Sequence, residues 1–171
     1  MYEPFKLIST FVLDVDGVLT DGTLLVLEDG QMARKMNIKD GYALQAAVKK
    51  GYNVVIVSGG RSEPVKDRLM KLGIQDVFLN VQDKIETLTT YAHNRNIAWN
   101  EMLFMGDDIP DYYCMKKVGL ACCPKDAASE IKSISNYISP FKGGHGCVRD
   151  VIEKAMKLHG KWEIFEESPA I

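Results

Sequence analysis

No apolar run in the 171-residue chain approaches the ~20 residues that a membrane-spanning helix needs. The opening residues MYEPFKLIST also lack the basic start and apolar core of a secretory signal, so a cytoplasmic location with no membrane attachment is the expectation. A dominant charge is missing too. With 21 Lys and Arg against 23 Asp and Glu, no broad basic face for nucleic acid is expected. Cysteine is sparse, and Cys114, Cys122, Cys123 and Cys147 form no C-x-x-C pair; they read as reduced, mostly buried small side chains. There is no G-x-x-x-x-G-K-[ST] for a nucleoside triphosphate, no G-x-G-x-x-G between strand and helix for a dinucleotide, and no H-E-x-x-H. Internal repeats, low-complexity tracts and linkers are absent as well, and the length suits one domain spanning residues 1–171.

What is present is alternation. Short apolar, β-branched runs at Leu7 to Val15, Asn53 to Ser58, Val77 to Leu79, Met102 to Met105 and Gly119 to Ala121 predict strands buried on both faces. Helix-period stretches lie between and after them, near Gly41 to Lys50, Ser62 to Leu72, Lys84 to Arg95, Ile109 to Lys117, Ala127 to Ser133 and Cys147 to Leu158. Strands that alternate with helices predict an α/β fold with a parallel sheet. One segment breaks the rhythm. Thr23 to Leu27 and Gln31 to Met36 flank Glu28-Asp29-Gly30, the pattern of a hairpin projecting from the sheet, and its TLLVL limb would expose apolar surface unless another subunit covered it. The residues after about 140 read as a loop, a last helix and an acidic tail.

The chemistry-bearing residues gather just beyond strand ends, where ligand sites of open α/β sheets collect. The first predicted strand runs into Asp14-Val15-Asp16-Gly17, and acids two apart on extended backbone share a side. An Asp-Gly pair alone would make only a turn. The fourth strand ends in Gly106-Asp107-Asp108-Ile109-Pro110-Asp111; one acid could cap the next helix, but capping does not require three. Two acidic clusters side by side would form an all-oxygen site suited to Mg²⁺. After the second strand, Ser58 with the following amides of Gly59 and Gly60 offers a seat for a phosphate. Lys84 opens a helix, where its charge opposes the helix dipole, and it could pair with both phosphate and carboxylate.

Read in order, Asp14-Val15-Asp16-Gly17, Ser58, Lys84 and Gly106 to Asp111 resemble the haloacid dehalogenase (HAD) superfamily of phosphohydrolases. The resemblance implies a three-layer, Rossmann-like HAD fold. It implies Asp14 as nucleophile, Asp16 as acid and base, and Ser58 and Lys84 on the phosphoryl oxygens. Mg²⁺ would be held by Asp14, Asp16 and Asp107 with support from Asp108 or Asp111. The hairpin plus one helix fill the stretch from Asp16 to Ser58, and one helix and one strand fill that from Lys84 to Asp107, so no cap domain fits. With D-V-D-G-V-L-T-D-G, the hairpin, Lys39-Asp40-Gly41 and the late Gly143-Gly144-His145-Gly146-Cys147-Val148-Arg149, the chain is similar to the 3-deoxy-D-manno-octulosonate 8-phosphate (KDO 8-phosphate) phosphatase family.

That likeness implies a sugar-acid phosphate substrate, a role in lipopolysaccharide precursor synthesis and a homotetramer joined through the hairpins, with the segment Phe141 to Arg149 reaching a neighbour's site. Gly59, Gly60, Arg61 and His145 are then substrate-binding candidates. Two positions depart from the family pattern: Ser58-Gly59-Gly60-Arg61 stands where Ser/Thr-Gly-Arg is usual, and His145 stands where the glycine-rich stretch usually has Arg. Phosphatases of nonulosonate 9-phosphates share the same frame, so that reading stays open. A phosphoacceptor receiver domain also uses Mg²⁺, Asp, Ser/Thr and Lys, but it distributes its acids differently and has no projecting hairpin.

Overall fold

The computed structural model describes residues 3–164. Five of the sheet's six strands are those the alternation predicts: β1 (Thr10–Leu13), β4 (Asn53–Val57), β5 (Asp76–Phe78), β6 (Met102–Met105) and β7 (Leu120–Cys123). The sixth, β8 (Tyr137–Ile138), has two residues among polar neighbours and carries no readable periodicity. All pairings in this sheet are parallel, in the order β5-β4-β1-β6-β7-β8.

Alternate residues of each strand feed two separate cores. Phe11, Leu13, Val54, Ile56, Leu103 and Met105 pack on one face against α1 (Ile38–Lys49), α2 (Glu63–Lys71) and α6 (Cys147–Leu158). Val12, Val55, Val57, Met102 and Phe104 pack on the other against α3 (Lys84–Arg95), α4 (Tyr112–Lys117) and α5 (Ser129–Ile134). This is the three-layer architecture that continuous apolar strands require, since both faces of the sheet must be covered. All four cysteines are free and buried within it. No helix among the described residues is long and apolar enough to cross a membrane.

Several boundaries differ from the sequence reading. The first strand begins only at Thr10, because Glu3–Leu7 turns as a 3-10 helix that buries Phe5 and leaves Leu7 exposed. Helix α1 starts earlier, at Ile38, where the Asn37 side chain accepts from the Lys39 amide as an N-cap. The segment predicted as one helix from Ile109 divides into a 3-10 turn, Ile109–Asp111, and α4, since Pro110 lies in the first turn. The hairpin forms with only two paired residues per limb, β2 (Leu25–Val26) and β3 (Met32–Ala33). Of the acidic tail, residues 165–171 lie outside the described residues.

One long-range contact fixes the late glycine-rich loop. Asp40, buried in the first turn of α1, accepts hydrogen bonds from the amides of Gly146 (3.3 Å) and Arg149 (2.8 Å), and so caps α6 from a neighbouring helix. Gly143 packs so tightly on the Gly17 carbonyl that a Cβ there would collide with it. Asp40→Ala would leave two amides of α6 without their acceptor and is expected to lower stability by about 1–3 kcal/mol in urea denaturation. A change below about 0.5 kcal/mol would contradict the capping role.

Candidate active site

Strand β1 is the middle of the sheet, flanked by β4 and β6. Connections leave its two sides in opposite senses, and this switch point opens a crevice beyond the carboxyl ends of the strands. Asp14 follows β1 directly, its amide still donating to the Met105 carbonyl (3.1 Å), so the sheet ladder fixes its backbone. Its Oδ1 accepts from the Val15 amide at 2.7 Å. The chain then turns through Gly17 at φ +82, a left-handed conformation suited to glycine. A Cβ on Gly17 would strike the Asp107 carboxylate, so a residue without a side chain lets the two acidic loops close on one another.

From the β6 side, Asp111 is fully buried and its Oδ2 accepts from the Asp107 amide at 3.1 Å. Gly106 makes room for it, since a Cβ there would lie 2.5 Å from the Asp111 carboxyl. Carboxylate oxygens of Asp14, Asp107 and Asp111 lie within 4.8 Å of one another. Asp108 does something else: it is exposed, and its side chain caps the Ile109 amide at 2.8 Å. Of the two acids left open by the sequence, Asp111 therefore joins the cluster, and Asp108 lies at the rim of the pocket.

Lys84, buried at the first position of α3, sends its Nζ to Asp111 Oδ1 (2.7 Å) and Asp14 Oδ2 (3.1 Å). Burial alone would push this ammonium down, but the charges of Asp111 and Asp14 outweigh it and hold the group above its ordinary value. Three carboxylates against one ammonium leave two uncompensated negative charges if all ionise. Burial, then the charge of Asp111, raises Asp14 to about 6. Burial, then the charges of Asp14 and Asp111, raises Asp107 to about 7. A divalent cation fits this site on three counts: an all-oxygen donor set, converging carboxylates, and a charge surplus of two.

Across the crevice, Ser58 is buried at the end of β4, and its Oγ accepts from the Gly60 amide at 3.2 Å. Asp14, Asp16, Ser58, Gly59, Gly60, Lys84 and Asp107 all line one pocket of about 660 Å³. Arg61 and His145 do not. Arg61 is exposed outside it. His145 faces a separate pocket of about 470 Å³ with Lys39 and Arg149, its Nδ1 hydrogen-bonded to the Gly143 carbonyl at 2.7 Å. The tight seating of Gly143 and Gly144 on the back of the Gly17–Asp21 loop turns His145 away from the site of its own chain.

The sequence reading missed Arg34. From the residue after β3, its guanidinium reaches back to Asp16, Nε to Oδ1 at 2.6 Å and Nη2 to Oδ2 at 3.2 Å. Arg34 lies beside Lys35 in a limb that also carries Gln31, so nothing in the sequence set it apart.

A central parallel strand ending in Asp-x-Asp-Gly, with Ser, Lys and a second acidic loop beyond the adjoining strands and helix, defines a phosphatase of the haloacid dehalogenase-like class. The haloacid dehalogenase-like hydrolase profile matches residues 73–151. Among characterised proteins, the 3-deoxy-D-manno-octulosonate 8-phosphate phosphatase of Escherichia coli K12 is 31% identical over 154 residues, spanning 90% of this chain and 82% of that protein. A crystal structure of the Moraxella catarrhalis enzyme, in complex with a magnesium ion, a phosphate ion and a KDO molecule, superposes with a TM-score of 0.89 at 30% identity, covering 92% of this chain and 90% of that one. The Yersinia pestis enzyme superposes with a TM-score of 0.90 at 27% identity, covering 93% and 86%. The chain belongs to the 3-deoxy-D-manno-octulosonate 8-phosphate phosphatase family.

The raised carboxyls have a stability consequence with a definite sign. A carboxyl whose folded value lies above its ordinary value of 3.8 disfavours the fold as pH rises toward and past the folded value, and the penalty vanishes in acid. Asp107→Asn removes one such group, so without divalent ions its melting temperature should exceed that of the parent at about pH 7.5, with the difference shrinking toward about pH 4.5. Mg²⁺ should raise the melting temperature of the parent at about pH 7.5 and that of the variant much less. An equal response to Mg²⁺ would remove Asp107 from the cation site.

Proposed function

We propose that the chain hydrolyses KDO 8-phosphate to KDO and inorganic phosphate, in the cytoplasm, as a step of lipopolysaccharide precursor synthesis. The observation that carries this reading is the cluster of Asp14, Asp107 and Asp111 carboxylates beside Ser58, with the buried Lys84 ammonium paired to Asp14 and Asp111. The family relationship and the magnesium, phosphate and KDO in the Moraxella catarrhalis structure support it further.

In the first half-reaction an Asp14 carboxylate oxygen bonds to phosphorus as the bond from phosphorus to the sugar oxygen breaks, and Asp16 gives that oxygen a proton. In the second, Asp16 takes a proton from water as the water oxygen bonds to phosphorus and the aspartyl phosphate bond breaks. Ser58 Oγ, the amide of Gly59 and the Lys84 ammonium hold the phosphoryl oxygens, the fixed donors that phosphoryl transfer mainly requires, and the Gly60 amide orients the Ser58 hydroxyl. Mg²⁺, held by Asp14, the Asp16 carbonyl and Asp107 and steadied by Asp111, would supply positive charge between two anions that otherwise repel. Lys84 and Asp111 keep Asp14 in place between turnovers.

We further propose that the chain works as one domain without a cap and that second copies of it cover the hairpin to give a homotetramer. Leu25 and Val26 are 65% and 66% exposed and Met32 is 52% exposed, an apolar ribbon whose burial would favour association. His145 could act only from a neighbouring copy in such an assembly, since its own loop directs it elsewhere.

Two experiments test these readings. Asp14→Asn should lower Mg²⁺-dependent phosphate release by a factor on the order of 10⁴ or more while circular dichroism stays unchanged; retained turnover would exclude Asp14 as nucleophile. Leu25→Glu together with Leu27→Glu should reduce the mass measured by light scattering to that of a smaller assembly, and an unchanged mass would exclude the hairpin interface.

A further inference from the structure

We infer that Arg34 is a positioning residue for Asp16, carried on the hairpin and fixing the direction in which the Asp16 carboxylate faces the pocket. This inference rests on the acid and base role proposed for Asp16. It comes from three features of the structure.

The contact is two-pronged. Nε and Nη2 each take a different oxygen of Asp16, so the fork fixes rotation of the carboxylate plane as well as its place, which a single-point contact would not do. The guanidinium is also itself constrained: the Arg34 side chain is only 7% exposed, whereas that of Asp16 is 36% exposed and opens on the pocket. Nη1 reaches the Met32 carbonyl at 3.4 Å, within the same hairpin. One end of the pair is therefore held by the hairpin, and the other lines the pocket.

The space around the pair is shaped to it. A Cβ on Gly60 would lie 2.9 Å from Asp16 Oδ2 and 3.2 Å from Arg34 Nη2. The missing side chain at Gly60, which the sequence shows as an extra glycine after Ser58, is thus the room in which the fork sits. Arg34, Asp16 and Gly60 act together, although 18 residues separate the first two and Gly60 lies beyond α1 and β4 along the chain.

The consequence for chemistry follows from what Asp16 must do. A proton delivered to a sugar oxygen requires an oxygen of the acid aimed at that atom, and misplacement by about an ångström can cost on the order of 10²-fold. An ester whose leaving group departs without a proton does not depend on that aim in the first half-reaction, although hydrolysis of the shared aspartyl phosphate still uses Asp16 as base. Loss of the fork should therefore separate two substrates that a general loss of folding would affect alike.

The test compares Arg34→Ala, Arg34→Lys, Gly60→Ala and Asp16→Ala in the full chain, with Mg²⁺, on KDO 8-phosphate and on p-nitrophenyl phosphate. The expected result, read in single turnovers as the rate of leaving-group release, is that Arg34→Ala slows release from the sugar ester at least tenfold more than from the aryl ester, in the same direction as Asp16→Ala. Arg34→Lys keeps the charge but not the fork and should leave that ratio low. Gly60→Ala, which crowds the pair while keeping both charges, should lower it as well. If Arg34→Ala slows leaving-group release from both substrates equally, or raises KM alone, the positioning role is overturned. Should Asp16→Ala itself slow leaving-group release from both esters equally, the acid reading of Asp16 fails, and the positioning role of Arg34 falls with it.

Discussion

The site depends on one electrostatic constraint: three carboxylates, Asp14, Asp107 and Asp111, crowd one another at the switch point of the sheet, with a single buried ammonium paired to two of them. Like charges at such distances oppose folding unless something offsets them. Lys84 offsets part, which is why a lysine occupies the first turn of α3, where the helix dipole would otherwise disfavour it. Its removal would leave buried acids unpaired, a loss of about 3–5 kcal/mol for a buried pair. The remaining negative charge is what a divalent cation would neutralise, so that an anionic phosphate could approach. The same crowding accounts for two glycines, since Gly17 and Gly106 lie where a Cβ would strike Asp107 and Asp111.

Much of this was legible in the sequence because it depends on local pattern. Apolar runs such as Phe11 to Leu13 and Met102 to Met105 are buried on both faces, and continuous hydrophobicity announces that directly. Strand ends carry the acids, so Asp14, Ser58 and Asp107 could be placed at one edge of the sheet without coordinates. What could not be read arises from tertiary reach. The Asp16 to Arg34 fork depends on how the hairpin folds back, and the capping of α6 by Asp40 joins residues 109 positions apart. Short elements escaped for a different reason: β8 has two residues, and its place is set by hydrogen bonds from Tyr137 and Ser139 to Asp150 rather than by periodicity. Distinguishing Asp108 from Asp111 needed the path of the turn after Pro110, which sends one side chain inward and leaves the other capping an amide.

Phosphoryl chemistry in an open crevice needs walls, and between Asp16 and Ser58 the chain offers only the hairpin, α1 and β4. On the proposed assembly and mechanism the hairpin would have two tasks: its exposed apolar ribbon would be covered by other copies, and its arginine, which contacts Asp16, would hold that acid in the site. Leu25, Val26 and Arg34, the residues that carry these two proposals, lie on one small element. Of the two departures, the one at Gly60 finds a physical reason in the packing around the site, and the packing sets the direction of His145. Gly60 gives the fork its room, and His145 is turned outward by the loop that packs on Gly17.

The substrate assignment is tested most directly by measuring kcat/KM for Mg²⁺-dependent phosphate release across KDO 8-phosphate, a 3-deoxy-nonulosonate 9-phosphate, N-acylneuraminate 9-phosphate and simple hexose phosphates. A preference for KDO 8-phosphate of a hundredfold or more is expected, about 2.7 kcal/mol of transition-state discrimination. A similar preference for either nine-carbon acid would contradict the assignment and leave the phosphatase chemistry at Asp14 in place. Absence of Mg²⁺-dependent release from every member of the panel would contradict both the substrate and the chemistry.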